Sequence, residues 1–346
     1  MTDFKLSICI ATFNRAGFIA ETLDSIVSQS TDEVEIVVLD GGSTDKTTEV
    51  VKTYQKTVPN IQYIRQETKG GVDKDYCKAV DISNGEYCWL MSDDDLLKPG
   101  AVKAVLSELN RNYSLIIVNG EVRNSDLSKI LEQKRLPLDT DRIYKSYDHT
   151  SLLIDTLNYL TFIGCVIIKR SCWSEREKEK YFGSCFIHIG VIFQNHLPSD
   201  TLVISKPFII IRYGNAQWSD KAFEIWMFKL PDLIWGFSNF TESIKRQACL
   251  KNPWRRINEL VKLRAKGAYT HKEYKKWLKP RISSRLYKFE ARFISHFSGV
   301  VVNTLAIVYT NLFYPKANAM LLDFKISRFY WRNMLKKILT NTKQGM

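Results

Sequence analysis

The chain has 346 residues, 45% of them hydrophobic and 25% charged, which is enough apolar material for one large domain or two smaller ones and excludes a disordered or low-complexity protein. Its 7 cysteines form no C-x-x-C pair, so neither a zinc site nor a dithiol redox motif is expected, and most sit among apolar neighbours as small buried hydrophobes. The net charge of +13 is unevenly spread: residues 241–346 hold about 23 Lys+Arg against about 5 Asp+Glu, roughly +18, which leaves residues 1–240 near −5.

The first residues, MTDFKLSICIATFNR, lack a basic stretch followed by an apolar run and a cleavage site, so no signal peptide is expected and the site of action is expected to be cytoplasmic. Residues 5–13 form a short apolar, β-branched run and predict a buried strand. Residues 16–29 place Phe18/Ile19, Thr22/Leu23 and Ile26/Val27 at helical spacing. A second strand is expected at 34–40, a turn at 41–45, and a helix at 46–56 with Ser43 or Thr44 as its N-cap. A third strand at 61–67 leads through a loop into a helix near 75–83. A fourth strand at 86–92 is followed by a helix at 98–110, with Pro99 in its first turn, and a fifth strand lies at 114–122. Strand and helix alternate for about 120 residues, the pattern of a parallel α/β sheet with crossover helices. Ligands bind such sheets beyond the carboxyl ends of the strands, and three polar clusters fall there: residues 12–15, 40–45 and 93–95.

The pattern then changes. Residues 159–173 carry one more apolar run, 182–197 are aromatic-rich and almost uncharged, and 201–215 read as a strand or two. From 222 onward the sequence looks helical. Residues 297–314 approach the length of a membrane span, but Asn303, Thr304, Thr310 and Asn311 favour a packed or interfacial helix over a spanning one.

Asp93, Asp94 and Asp95 follow the fourth strand, and buried like charges cost several kcal/mol unless a cation offsets them. Hard oxygen ligands at a strand end suit Mg²⁺ or Mn²⁺ that shares a substrate's phosphates; the alternative is an acidic turn capping the next helix. Asp40, before two glycines, is placed either to accept from a nucleobase edge or to form an Asx-turn.

Together and in this order, ICIATFNR, VEIVVLDGGSTDKT and NGEYCWLMSDDDLLKPGAV resemble the family 2 glycosyltransferases of the GT-A fold, over roughly residues 4–120 and more weakly to about 215. The resemblance implies a three-layer α/β fold with a mostly parallel sheet and a nucleotide-diphospho-sugar donor. Thr12, Asn14 and Arg15 match the loop lining the nucleotide, and Asp40 matches the base-binding aspartate. Asp93, Asp94 and Asp95 match the D-x-D-type motif in which the metal bridges protein and diphosphate, with Asp93 and Asp95 as ligands and Asp95 counted with the catalytic groups. Lys69, Gly70, Gly71, Asp73, Lys74 and Lys78 lie where ribose or phosphate contacts would fall, or form a solvated surface loop.

The chain departs from the family pattern at the base. Inverting members use a carboxylate, often in an E-D pair, but no acid lies between Phe182 and Leu197. His188 is the polar residue in that slot, either a general base or a hydrogen-bonded core histidine, with His196 and Asp200 in reserve. A narrower resemblance, carried by GGVDKDYCKAV, FIGCVIIKR, FIHIG and IIIRYGNAQW, is to bacterial O-antigen glycosyltransferases of the abequosyltransferase type. It implies a CDP-linked 3,6-dideoxyhexose, with UDP- and dTDP-sugars as other donors, and an undecaprenyl-pyrophosphate-linked oligosaccharide acceptor. Arg212, Tyr213, Asn215, Gln217 and Trp218 would then sit near the donor–acceptor junction, Arg212 toward the diphosphate. Trp226 reads as a core aromatic.

The expected organisation is a GT-A domain over 1–220, with a nucleotide-sugar half at 1–120 and an acceptor half at 121–220. A basic helical region at 221–346 would associate with the anionic inner face of the bacterial inner membrane. No finger, helix-turn-helix or zipper pattern supports a nucleic-acid partner. A nucleotidyltransferase on a similar sheet is the competing enzyme.

Overall fold

The computed structural model describes residues 4–333, so the part of the basic tail around Lys336 and Lys337 lies outside the described residues. Strand β1 (Leu6–Thr12) pairs in parallel with β2 (Val34–Asp40) on one side and β4 (Tyr87–Met91) on the other, and β2 pairs in parallel with β3 (Ile61–Arg65). All seven residues of β2 and all five of β4 are buried, as strands covered on both faces require. In the register Thr12 lies beside Asp40 and Ile10 beside Met91, so the carboxyl ends of β1, β2 and β4 finish on one rim.

The remaining strands are β5 (Leu96–Leu97), β6 (Leu115–Asn124), β7 (Ile130–Glu132), β8 (Arg142–Tyr144), β9 (Val166–Lys169) and β10 (Thr201–Tyr213). The strand order β3-β2-β1-β4-β9-β6-β10-β5 continues the parallel half through β9, which runs antiparallel to both β4 and β6. β10 is one 13-residue strand rather than two, and it pairs antiparallel with β5 through Ile209 and Ile210. That pairing brings the end of β10 back beside the acidic triplet.

The crossover helices are α1 (Ile19–Val27), α2 (Thr47–Thr57), α3 (Val72–Asp81) and α4 (Ala101–Leu109), followed by α5 (His149–Leu160), α6 (Arg170–Ser174) and α7 (Ile187–Phe193). In α1 the buried Ile19, Leu23 and Ile26 recur at helical spacing. The expected N-cap of α2 is corrected. The helix begins at Thr47, whose N–H donates to Asp45 Oδ1 at 3.0 Å, while the Ser43 hydroxyl accepts from Asn14 N. Pro99 precedes α4 instead of entering it, because Gly100 takes the left-handed conformation (φ 83°) just before Ala101. The uncharged 182–197 segment supplies α7, all seven residues of which are buried.

Two compact units interleave along the chain, where the sequence suggests one boundary near 220. Among the described residues, the first comprises the chain up to 123, 133–212 and 233–249; the second comprises 124–132, 213–232 and the chain from 250. Within the first, α8 (Glu242–Ala248) packs against α5. The second has its own core, in which Phe223, Phe228, Trp254, Leu260, Tyr269 and Leu278 pack together with Trp226 against them. It contains α9 (Ile257–Ala265), α10 (Arg285–His296), α11 (Gly299–Phe313) and α12 (Asn318–Ile326).

Candidate functional site

The rim is stitched together by side chains of the two loops that follow β1 and β2. Asn14, held at φ 54°, accepts from Thr44 N at 2.7 Å through Oδ1, and Arg15 N donates to Thr47 Oγ1 at 2.8 Å. The Ala16 N–H reaches Asp45 Oδ2 at 3.1 Å. These bonds satisfy loop backbone that would otherwise be unpaired, and they fix where the Arg15 side chain starts. Arg15 then extends across the acidic triplet, with Nε 3.2 Å from Asp93 Oδ1 and a terminal nitrogen 3.2 Å from Asp94 Oδ2.

The triplet is braced from the far strand as well. Arg212 on β10 donates its backbone N–H to Asp95 Oδ1 at 2.6 Å and its Nε to the Asp94 carbonyl at 2.8 Å, and its guanidinium pairs with Glu21. Both Arg15 and Arg212 lie over the Phe18 ring, at 5.4 and 5.2 Å from its centroid. Ser92 donates to the other Asp95 oxygen, and Tyr76 of α3 donates to the Met91 carbonyl at 2.9 Å.

All three carboxylates are buried. Burial and the neighbouring Asp94 charge push Asp93 up to about 7 against the opposing pull of Arg15. Asp95 is raised well above the usual carboxylate range, first by burial and then by Asp94. The cluster thus holds more negative charge than Arg15 offsets, and it presents hard oxygen donors.

Asp40 is completely buried and committed. Its Oδ1 accepts from Ser43 N at 2.7 Å; its Oδ2 accepts from the Tyr63 hydroxyl at 2.6 Å and from Thr48 Oγ1 at 3.2 Å. The Asx-turn reading therefore describes its contacts. A residue that sequence reasoning missed lies next to it. Asp75 of α3 is buried and accepts from Gln66 Nε2 at 2.7 Å through Oδ1, while its Oδ2 has no hydrogen bond among the described residues. A Cβ placed on Gly41 would lie 3.2 Å from that free oxygen and 3.8 Å from the Phe13 ring, over which Lys69 Nζ sits at 3.7 Å. Burial raises the Asp75 pKa, and Asp40 adds to it. The signal was in the sequence: Asp75 lies in GGVDKDYCKAV, but it falls on a helix and no role was drawn for it.

Other expected site residues lie elsewhere. Asp73 is buried and accepts from the backbone N–H groups of Gly183 (2.8 Å), Cys185 (2.9 Å) and Ile187 (3.1 Å), so it caps the segment entering α7. Lys78 is exposed on α3. His188, expected as a general base or a hydrogen-bonded core histidine, is buried; its Nε2 donates to the Leu160 carbonyl at 2.6 Å, and burial pulls its pKa down to about 4. A general base needs a nitrogen open to the acceptor hydroxyl, and Nδ1 is enclosed without a partner. Asp200 pairs with Lys145 at 2.9 Å, and His196 packs on His149 with centroids 4.9 Å apart. Trp218 is exposed and meets Trp226 edge-on at 5.9 Å.

A parallel sheet whose strand ends carry a stitched loop pair and an acidic triplet defines a GT-A nucleotide-sugar transferase fold. Residues 7–171 match the family model "Glycosyl transferase family 2". The chain is 26% identical over 230 residues to the abequosyltransferase RfbV of Salmonella typhimurium, covering 63% of this chain and 69% of that protein. It is 31% identical over 145 residues to the GalNAc(5)-diNAcBac-PP-undecaprenol beta-1,3-glucosyltransferase of Campylobacter jejuni, covering 41% of this chain and 47% of that one. The chain thus spans about half the length of the second relative. Among solved structures, S. aureus TarS 1–349 in complex with UDP-GlcNAc matches with a TM-score of 0.59 at 15% identity, over 95% of this chain and 92% of that one, a likeness of fold.

Proposed function

We infer that this glycosyltransferase moves a sugar from a nucleotide-diphospho-sugar to a lipid-linked oligosaccharide during assembly of a bacterial surface polysaccharide. The observation that carries this reading is the overcharged, buried triplet Asp93–Asp94–Asp95 on the rim where β1, β2 and β4 end. On this reading Asp93 and Asp95 would hold Mg²⁺ or Mn²⁺ through their carboxylate oxygens, beside the Arg15 that already pairs with Asp93 and Asp94. When bound, such an ion neutralises the departing nucleoside diphosphate.

The chain's own groups position the donor. Arg15 holds Asp93 and Asp94 side by side, and Arg212 fixes Asp95 from the opposite strand. Asp40 shapes the turn that sets Gly41 against Asp75. The free Asp75 oxygen and the Phe13 ring form the nucleobase contact: the carboxylate accepts from an exocyclic amine, and the ring offers a stacking face. A carboxylate there accepts from the N4 amine of cytosine; uracil offers its N3–H instead but sets O4 beside it, so a CDP-linked donor is the one proposed. The first relative's name, an abequosyltransferase, points to a dideoxyhexose, and the second carries a PP-undecaprenol saccharide in its name. On this reading residues 1–120 bind the donor, 121–220 bind the acceptor, and 221–346 meet the anionic inner membrane face.

The test is to mix the full chain with CDP-, UDP- and dTDP-sugars in the presence of Mn²⁺, record which one raises the melting temperature, and then analyse the products with a lipid-linked acceptor. The expected result is stabilisation by a CDP-sugar and release of a nucleoside diphosphate. Release of pyrophosphate would identify a nucleotidyltransferase and overturn the reading.

A further inference from the structure

The second compact unit carries a surface that the donor site does not explain. Helix α11 turns two of its four polar side chains inward and leaves the other two, Thr304 and Asn311, exposed among its apolar ones. Its polar Asn303 and Thr310 are turned inward, at 0% and 2% exposure, and Asn303 Nδ2 donates to the carbonyls of Ala265 (2.9 Å) and Phe324 (2.8 Å). Its apolar side chains face out: Leu305 is 62% exposed and Leu312 70%, and Val301, Val308, Tyr309 and Phe313 are exposed with them. A water-facing helix turns its apolar side chains inward instead. The preceding helix α10 adds a stripe at helical spacing, with Leu286, Phe289, Phe293 and Phe297 all exposed. So large an exposed apolar surface marks an interaction site.

The two helices meet at 92°, and the elbow is built, not frayed. Arg264 donates to the Phe297 carbonyl at 3.1 and 2.6 Å, and Gly299 lies so close to Phe329 that a Cβ there would meet the ring at 2.5 Å. No single helix among the described residues is long and apolar enough to cross a membrane. At ~1.5 Å per residue, the 15 residues of α11 reach about 22 Å, short of the ~30 Å hydrocarbon core. Two axes near a right angle can both lie in one plane.

Charge decides the occupant. Arg285, Lys288 and Arg292 recur along the flank of the α10 stripe and make no ion pair among the described residues; Glu290, the one acid of that helix, is half-buried near Tyr287. Helix α11 has no charged residue, and Lys316 follows it. A second copy docking the same face would bring these cations against their own kind. An anionic lipid surface accepts the apolar stripe and the basic flank together.

We propose that the α10–α11 elbow lies in the interfacial layer of an anionic bilayer and seats its exposed apolar side chains among the acyl chains. This rests on the reading of a lipid-linked acceptor for its purpose, and not for its geometry. The test is co-sedimentation of the full chain with vesicles containing phosphatidylglycerol and with vesicles of phosphatidylcholine alone, for the wild type, Leu305→Lys/Leu312→Lys and Phe289→Lys/Phe293→Lys. The expected result is binding to the phosphatidylglycerol vesicles that falls about tenfold or more in each double variant. The circular dichroism spectrum and the calorimetric affinity for a nucleoside diphosphate should stay as in the wild type. Equal vesicle binding by wild type and variants would overturn the proposal, as would a wild-type dimer that the same substitutions dissolve with no binding to vesicles. Loss of nucleotide binding in the wild type would instead sink the transferase reading and leave the vesicle result standing.

Discussion

The backbone N–H of Arg212 reaches the Asp95 carboxylate at 2.6 Å, across 117 residues of chain. The strand that closes the sheet thereby fixes the geometry of the acids that end β4, so the rim is assembled only when β10 is in place. The cost of holding these acids together is visible in Asp93, raised to about 7 by burial and Asp94. Asp93→Asn removes one of the crowded charges and a proposed cation ligand. Sugar transfer should fall about a hundredfold or more, equivalent to about 3 kcal/mol. The melting temperature measured in EDTA should hold or rise, because a buried like charge has been removed. The stabilisation that Mn²⁺ gives the wild type should vanish in the variant. Unchanged transfer by Asp93→Asn would refute the role given to the triplet.

Asp75 offers a sharper test of donor choice. Its Oδ1 is held by Gln66 while its Oδ2 faces Gly41 with no hydrogen bond among the described residues. Asp75→Asn replaces an acceptor with a group that both accepts and donates. Affinity for CDP should drop by about 1–3 kcal/mol, the usual cost of an unmet polar contact, and discrimination against UDP should relax. Titration calorimetry with CDP and UDP reads both effects. Equal loss for the two nucleotides would mean that Asp75 supports the loop and does not read the base.

The N-terminal half of the sheet was legible in the sequence because its signals are local. Apolar runs of strand length, glycine turns and acids at strand ends lie within a few residues of each other, and they place Thr12, Asn14, Arg15, Asp40 and Asp93–Asp95 on one rim. What was not legible depends on pairs far apart in the chain. Nothing near Asp73 announces that its carboxylate serves Gly183, Cys185 and Ile187, more than a hundred residues on. Glu35 makes the same point: a buried acid on β2, it is satisfied by Ser7 and by the N–H groups of Asn84 and Gly85, and it has no place in the site. His188 misled for a related reason. Its apolar neighbours fit a core position and a catalytic slot equally well, and only the Leu160 carbonyl decides between them. In the C-terminal region composition revealed the charge but not the burial of Asn303 in α11, which needs its partners to be seen.

The two buried histidines predict an acid-sensitive fold. His188 and His149 are each pulled down to about 4, first by burial, from an unfolded value near 6.5. Both are neutral in the folded chain, so at lower pH the unfolded state takes up protons first. Stability is full above about pH 6.5 and falls as the pH drops through the window to about 4, by up to about 3 kcal/mol for each histidine. Urea unfolding between pH 7.5 and 4.5 measures it. His188→Gln keeps a donor for the Leu160 carbonyl and should flatten roughly half of the slope while leaving transfer activity near that of the wild type. A large loss of activity in that variant, with stability intact, would restore His188 to catalysis.

Asp73 separates a structural role from a ligand-binding one. Its carboxylate gathers three backbone N–H groups at the entry to α7, and no solvent competes for them because the side chain is buried. Asp73→Ala strands all three donors, and hydrogen bonds to a charged acceptor are worth about 1.5–3 kcal/mol each before the rest of the structure relaxes. The expected loss of stability is about 3 kcal/mol or more, with faster amide exchange at Gly183, Cys185 and Ile187. Under conditions where the variant remains folded, calorimetric affinity for a nucleoside diphosphate should stay within about twofold of the wild type, because the carboxylate is spent on the chain itself. A ribose or phosphate contact predicts the reverse pattern, with affinity lost and the unfolding midpoint unmoved.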